Sequence, residues 1–159
     1  MLFHKKGHVM VKNEDENCPV VVINAVNQTG NLSGVIGKYI QTDMVDTNVS
    51  GLYRAKCKLM QNGIGKLGDV QNICLFTDYG FMLVNAFVMY NNAEPAVDER
   101  ALMDALESIK QTFPTYTVRI PNKLGYKDMT SGEWNIIFYR IMNILVNHGI
   151  TVEIWHNVN

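Results

Sequence analysis

The run PVVVINAV, at positions 19–26, constrains the fold of this chain more than any other segment. It is an apolar run rich in β-branched side chains. A strand with one face in water alternates apolar and polar residues, and this run does not. It therefore predicts a strand covered on both faces, as in a parallel or mixed sheet.

The rest of the chain predicts further strands and amphipathic helices. Asp98 is a good N-cap for a helix whose apolar residues fall on one face. Thr130 and Glu133 form a T-x-x-E capping box, with Met129 and Trp134 as its hydrophobic staple. The predicted strands are 7–12, 19–26, two strands joined by a hairpin turn at 78–80, 115–120 and 150–155, and the predicted helices are 35–44, 50–63, 99–113 and 133–148.

This order predicts an α/β fold, a three-layer α/β/α sandwich with a mixed central sheet of about six strands. Residues 7–12 and 150–155 are predicted to pair near one edge of that sheet. A length of 159 residues fits a single domain, 1–159, with a core of its own.

Charge and hydropathy give no indication of a nucleic-acid or membrane partner. The net charge is −1 and no basic stripe is present, so nothing indicates nucleic-acid binding. No apolar run approaches the length of a membrane span, and the N-terminus lacks a signal-peptide core. We expect a cytoplasmic protein without a membrane contact, either a monomer or a weak oligomer.

Metal ligands and reactive cysteines are also not indicated. The three cysteines, Cys18, Cys57 and Cys74, have unrelated spacings that match no metal pattern. The four histidines are scattered, and no pair has metal-ligand spacing. We therefore expect no metal and no cofactor.

Two polar, glycine-containing loops follow apolar strands, where ligands collect in α/β sheets. The first, NQTGNLSGVIG at 27–37, has three glycines whose backbone N–H groups can cradle phosphate. It is not a P-loop, because Tyr39 follows Lys38 where Ser or Thr is required. The second precedes the helix start at Thr130, which is an anion site by its dipole. A plain flexible loop and an ordinary β-loop-α connection remain the alternatives.

Five segments together resemble the macro domain family, over about residues 7–155. They are GHVMV, VVINAVNQTGNLSGVIGKYI, the LGDV hairpin LGDVQNICLFTDYGFMLVNAF, the helix DERALMDALESIK and the loop IPNKLGYKDMTSGEWNII. The similarity is to the compact branch of phage proteins, the yeast ADP-ribose 1″-phosphate phosphatase and the terminal ADP-ribose glycohydrolase. It implies an ADP-ribose-like ligand at the carboxyl edge of the sheet, with both loops around the diphosphate and distal ribose.

The resemblance also implies roles for individual residues. Asn27 would orient the ribose, and Asp128 would position water or take a proton. His8 replaces the family's adenine-contacting acid, which implies weaker base selectivity, and the position of the glycohydrolase's catalytic lysine falls near Tyr90. The implied ligand-binding residues are His8, Val9, Asn27, Gly30, Leu32, Ser33, Gly34, Val35, Ile36, Gly125, Tyr126, Thr130, Ser131 and Gly132.

Three functions are compatible with this pattern. The first is a reader or sponge that binds an ADP-ribose-like ligand without turnover. The second is a hydrolase that removes a phosphate or an ester-linked group from the distal ribose. The third is a degenerate scaffold that makes only a protein contact, because fold does not determine function.

Overall fold

The structure is a computed structural model that describes residues 1–27, 33–42, 66–90 and 96–157. The helix predicted at 50–63 lies outside these residues, as do Gly30 and Leu32. Within the described ranges, no helix has the length and apolarity to cross a membrane.

Six strands form one mixed sheet in the order β1-β6-β5-β2-β4-β3. All neighbours are parallel except β3 and β4, which form the predicted antiparallel hairpin. The strands are β1 Leu2–Lys6, β2 Val20–Val26, β3 Val70–Leu75, β4 Phe81–Phe87, β5 Thr117–Pro121 and β6 Val152–His156, and the helices are α1 Gly34–Thr42, α2 Phe76–Tyr79, α3 Glu99–Thr112 and α4 Ser131–Ile144.

The central strand β2 is buried along its whole length, as its sequence predicts. Val21, Ile23 and Ala25 share a core cluster with apolar residues of α3 and α4. Val20, Val22 and Val26 share a second cluster with Ile36 and Ile40 of α1 on the opposite face. Helices therefore cover both faces of the sheet, which confirms the three-layer α/β/α fold.

Asn24 is the polar residue in this apolar run, and it is satisfied by neighbours on the adjacent strands. Its Nδ2 donates to Oδ1 of Asn85 at 3.0 Å, and Nδ2 of Asn85 donates to Oε1 of Gln71 at 3.1 Å. The three residues stand in register across β2, β4 and β3. A buried amide needs such partners, so the row of amides stabilises one strand register.

The first strand is Leu2–Lys6, and the prediction of a strand at 7–12 was wrong. Residues after Gly7 turn instead: the N–H of Val11 donates to the carbonyl oxygen of His8 at 3.0 Å. Val9 and Met10 are apolar because this turn lies in the core, where both are buried. Leu2–Lys6 is mostly exposed and lacks a strand-like pattern, so only its backbone pairing with β6 identifies it.

Both predicted helix caps are present. Asp98 accepts from the backbone N–H of Ala101, and Thr130 accepts from that of Glu133 at 3.1 Å. The Glu133 carboxylate does not complete a capping box; it accepts from the N–H of Val97 at 3.2 Å. It therefore joins the start of α4 to the segment that precedes α3.

The edge formed by β1 and β6 carries a pair of imidazoles. Nδ1 of His4 and Nε2 of His156 lie 2.9 Å apart, which requires one donor and one acceptor nitrogen. Burial lowers the pKa of His156, and the nearby His4 and Lys6 lower it further. The folded protein therefore binds a proton at His156 less readily than the unfolded chain does.

We expect this site to make folding less favourable in acid. The folded pKa of His156 lies below the unfolded value of about 6.5, so the stability that neutral His156 supports is present above about pH 6.5 and is lost progressively as the pH falls from there through the folded pKa. Thermal melting between pH 7.5 and 5 should show a smaller loss of stability for His156→Gln than for the wild type. Parallel pH curves for the two proteins would contradict this expectation.

Candidate functional site

A cleft of about 730 Å³ lies outside the carboxyl ends of β1, β5 and β6. Its lining comes from residues 7–9, from α1, from 121–128, and from Trp155 and Asn157. Loops that follow parallel strands meet at one edge of the sheet, which is where ligands bind in α/β folds. We refer to this space as the cleft.

Trp155 forms one wall of the cleft and is held by charged neighbours. Its Nε1 donates to Oε1 of Glu153 at 3.1 Å. The Arg119 guanidinium stacks on its indole, with Cζ 4.9 Å from the ring centroid. Gly7 lies close to the same ring, because a Cβ at Gly7 would come within 3.4 Å of it. The indole is therefore oriented before any ligand arrives.

Arg119 also fixes the segment that carries His8. It is buried, and its Nη1 donates to the carbonyl oxygens of Val9 at 3.2 Å and Val11 at 2.6 Å. Its Nε lies 3.6 Å from Oε1 of Glu153, an ion pair rather than a hydrogen bond. Burial lowers the pKa of Arg119, and the Glu153 carboxylate opposes that effect. One guanidinium thus positions both the turn at 8–11 and Trp155.

His8 lies beside Tyr39, with ring centroids 4.6 Å apart. Its Nδ1 accepts the backbone N–H of Met10 at 3.1 Å. A neutral imidazole has one accepting nitrogen, so Nε2 of neutral His8 carries the hydrogen. The acid that the resemblance implies at this position would be negatively charged and would accept a hydrogen bond. Neutral His8 carries no charge, and its Nε2 donates.

The cleft is basic. Lys38, Lys123 and Lys127 line it, and Asp128 is the acidic residue among the described lining residues. Lysine is a point-charge ligand for phosphate, and several lysines in one concave surface concentrate anions. The lining therefore favours a ligand with more than one negative charge.

The loop after β5 has an unusual backbone. Lys123 and Leu124 have φ of 53° and 55°, and Gly125 follows at 88°. A left-handed conformation costs a non-glycine residue about 1–2 kcal/mol. The buried side chain of Leu124 offsets this cost. The φ of Gly125 favours glycine, and a Cβ there would also make a tight contact of 3.1 Å with the Val35 nitrogen.

Tyr126 connects the two loops. Its hydroxyl donates to the carbonyl oxygen of Ala25 at 2.8 Å and lies 3.2 Å from Oγ of Ser33. Burial raises the pKa of Tyr126, whereas the Ser33 hydrogen bond lowers it. The phenol therefore stays protonated at neutral pH and acts as a donor.

The structure brings together only part of the residues implied by the resemblance. Those that line the cleft are His8, Val9, Gly34, Val35, Gly125, Tyr126 and Asp128. The other residues that the resemblance implies and the structure describes are not part of the cleft lining: Asn27, Ser33, Ile36, Thr130, Ser131 and Gly132. Ile36 is buried in the core, and the start of α4 is exposed to solvent.

Sequence reasoning missed the lysines and the aromatic wall. Among these lysines the P-loop test concerns Lys38 alone, and no recognised motif contains Lys123 or Lys127. A signal was present, because all three lysines lie in or beside the polar loops that follow strands. Nothing in the sequence marks Trp155 as part of a cleft, since a tryptophan in a strand is ordinarily a core residue.

Comparison with solved structures shows what this fold is similar to. A macrodomain protein from Streptomyces coelicolor superposes with a TM-score of 0.77 at 16% identity, covering 98% of each chain. The chain has the macrodomain fold. The macrodomain of Mycobacterium tuberculosis DarG gives a TM-score of 0.71 at 15% identity, covering 98% of this chain and 97% of that one. The macrodomain of Thermus aquaticus DarG gives 0.63 at 18% identity, covering 100% and 99%.

No protein-family model and no curated protein matches the sequence. The likeness to the solved macrodomains therefore concerns the fold.

Proposed function

We propose that this macrodomain binds ADP-ribose or a related NAD-derived nucleotide in the cleft, as a reader or sponge. The observation that carries the proposal is the composition of the cleft: three lysines and an oriented tryptophan in one concave surface. The lysines suit a diphosphate, and an aromatic face suits a nucleobase. The macrodomain fold agrees with this choice of ligand.

Calorimetry with ADP-ribose, ADP, AMP and cyclic ADP-ribose tests the proposal. A ligand that binds only the folded state stabilises it by about 2.7 kcal/mol at a hundredfold excess over Kd. Thermal shift therefore provides a second readout. Absence of both heat and shift with all four compounds would remove nucleotide binding as the function.

The lysines give a more specific expectation. Replacing Lys123 and Lys127 together with glutamine should weaken nucleotide binding about tenfold or more, a loss of about 1.4 kcal/mol or more. The binding of the wild type should also weaken with added salt, because exposed charges are screened.

A matched double variant separates local from general charge effects. Lys12→Gln with Lys66→Gln removes the same charge at exposed positions outside the cleft lining. Its nucleotide affinity should stay within about twofold of the wild type. Equal losses in both double variants would show that the cleft lysines have no special role.

Hydrolysis is the second candidate, and Asp128 in the cleft lining favours it. Asp128 is exposed, so its carboxylate is accessible to water. Chromatography of mixtures containing ADP-ribose 1″-phosphate or an ADP-ribosyl ester would reveal product. Binding without product supports the reader, and product that disappears in Asp128→Asn supports the hydrolase.

A further inference from the structure

Residues 123–126 form a tight turn that reverses the chain after β5. The N–H of Tyr126 donates to the carbonyl oxygen of Lys123 at 3.1 Å, and the two residues between them, Leu124 and Gly125, have φ of 55° and 88°. A hydrogen bond of this spacing around two left-handed residues is the pattern of a type I′ turn. Such a turn brings its first and last residues within about 7 Å of each other. Lys123 therefore lies close to the backbone that leads into Lys127.

Leucine is an unusual residue at the first central position of this turn. Glycine, asparagine and aspartate dominate there, because they tolerate a positive φ. The side chain of Leu124 is 4% exposed and belongs to the core cluster that also contains residues of α3 and α4. Lys123, which precedes it, is left-handed as well and lines the cleft. Burial of Leu124 therefore maintains a backbone conformation that neither residue favours by itself.

We propose that Leu124 is a positioning residue for nucleotide binding: its buried side chain holds the turn that presents Lys123 and Lys127 to a phosphate group. The inference rests on the proposed function. Both lysines line the cleft, one at the first position of the turn and one directly after its last. Two ammonium groups repel each other unless an anion lies between them, so a turn that keeps both at the cleft is suited to holding a phosphate.

Leu124→Ile tests the backbone conformation separately from burial. Isoleucine matches leucine in volume and apolarity, but its β-branch makes a positive φ strongly unfavourable. The variant should weaken ADP binding about tenfold, measured by calorimetry at a temperature where thermal melting shows it to be folded. Leu124→Met keeps an unbranched apolar side chain of similar size, and its Kd for ADP should stay within about twofold of the wild-type value.

A double-mutant cycle determines whether Leu124 acts through the lysines. In a protein that already carries Lys123→Gln and Lys127→Gln, Leu124→Ile should change the Kd for ADP by less than about twofold, because the groups that it misplaces are absent. A general loss of structure would instead weaken ADP binding by the same factor in both backgrounds. The measurements are made at low salt, where binding to exposed charges is strongest.

Leu106→Ile provides the matched control. Leu106 lies on α3, is buried in the same core cluster as Leu124 and is not part of the cleft lining. Its substitution should leave the Kd for ADP within about twofold of the wild-type value. Leu124→Ala, which removes the buried side chain that holds the turn, takes the place of Leu124→Ile in both backgrounds if thermal melting shows that Leu124→Ile does not fold.

The outcomes are distinguishable. A folded Leu124→Ile protein that binds ADP as tightly as the wild type overturns the inference and leaves the proposed function intact. The same holds if the loss is equal with and without the two lysines, or if Leu106→Ile loses as much affinity as Leu124→Ile. Failure of ADP-ribose, ADP and AMP to bind the wild type overturns the proposed function, and this inference falls with it.

Discussion

Replacing Arg119 with alanine is expected to lower the free energy of unfolding by about 3–5 kcal/mol, the usual cost of removing one partner of a buried ion pair. The variant leaves the carbonyl oxygens of Val9 and Val11 without their donor and Glu153 without its cation. Urea unfolding measures the loss. Nucleotide binding should weaken too, because the guanidinium also supports Trp155.

An exposed arginine supplies the control for this prediction. Arg140 pairs with Glu99 at 2.7 Å, but both side chains are about one-third to one-half exposed, at 32% and 47%. Arg140→Ala should cost about 0–1 kcal/mol. Arg119→Met combined with Glu153→Gln removes both charges and should recover part of the loss. Equal costs at Arg119 and Arg140 would show that burial of the pair is unimportant.

Replacing Gly80 with alanine is expected to cost about 2–5 kcal/mol. Gly80 has a φ of 74°, which costs a residue with a side chain about 1–2 kcal/mol. An added Cβ would also overlap the carbonyl oxygen of Asn13, and forced backbone shifts of this kind cost about 1–3 kcal/mol more. The shift would disturb the hydrogen bond that the Asn13 N–H donates to the Tyr79 carbonyl oxygen, in which nitrogen and oxygen are 2.9 Å apart.

A substitution at Gly149 separates the cost of the backbone conformation from the cost of the steric overlap. It has a φ of 84°, but no atom lies within 4 Å of a Cβ built there. Gly149→Ala therefore carries only the conformational cost, about 1–2 kcal/mol. Thermal or urea unfolding of both variants should rank Gly80→Ala as clearly the less stable. Indistinguishable stabilities would mean that the Asn13 contact gives way without cost.

Much of the fold could be predicted because its signals are local. Side chains of the apolar run in β2 alternate between the two faces of the sheet, and because all of them are apolar except Asn24, both faces are predicted to be buried. Asp98 and Thr130 cap helices through bonds to residues three positions away. Gly80 marks the hairpin turn because its left-handed conformation strongly favours glycine. Such interactions span a few residues, so the sequence alone specifies them.

The first strand and the cleft depended on contacts between distant residues. Leu2–Lys6 is identified by pairing with β6, about 150 positions later, because an exposed edge strand needs no apolar pattern. The residues that Tyr126 contacts lie 101 and 93 positions away, and Arg119 holds carbonyls 110 and 108 positions away.

The sequence by itself therefore determined the layers, the hairpin and the helix starts of this chain. Tertiary structure decided the first strand and the shape of the cleft. The physical reason is that periodicity and capping report on neighbouring residues, whereas a cleft is the space left between segments that only folding brings together.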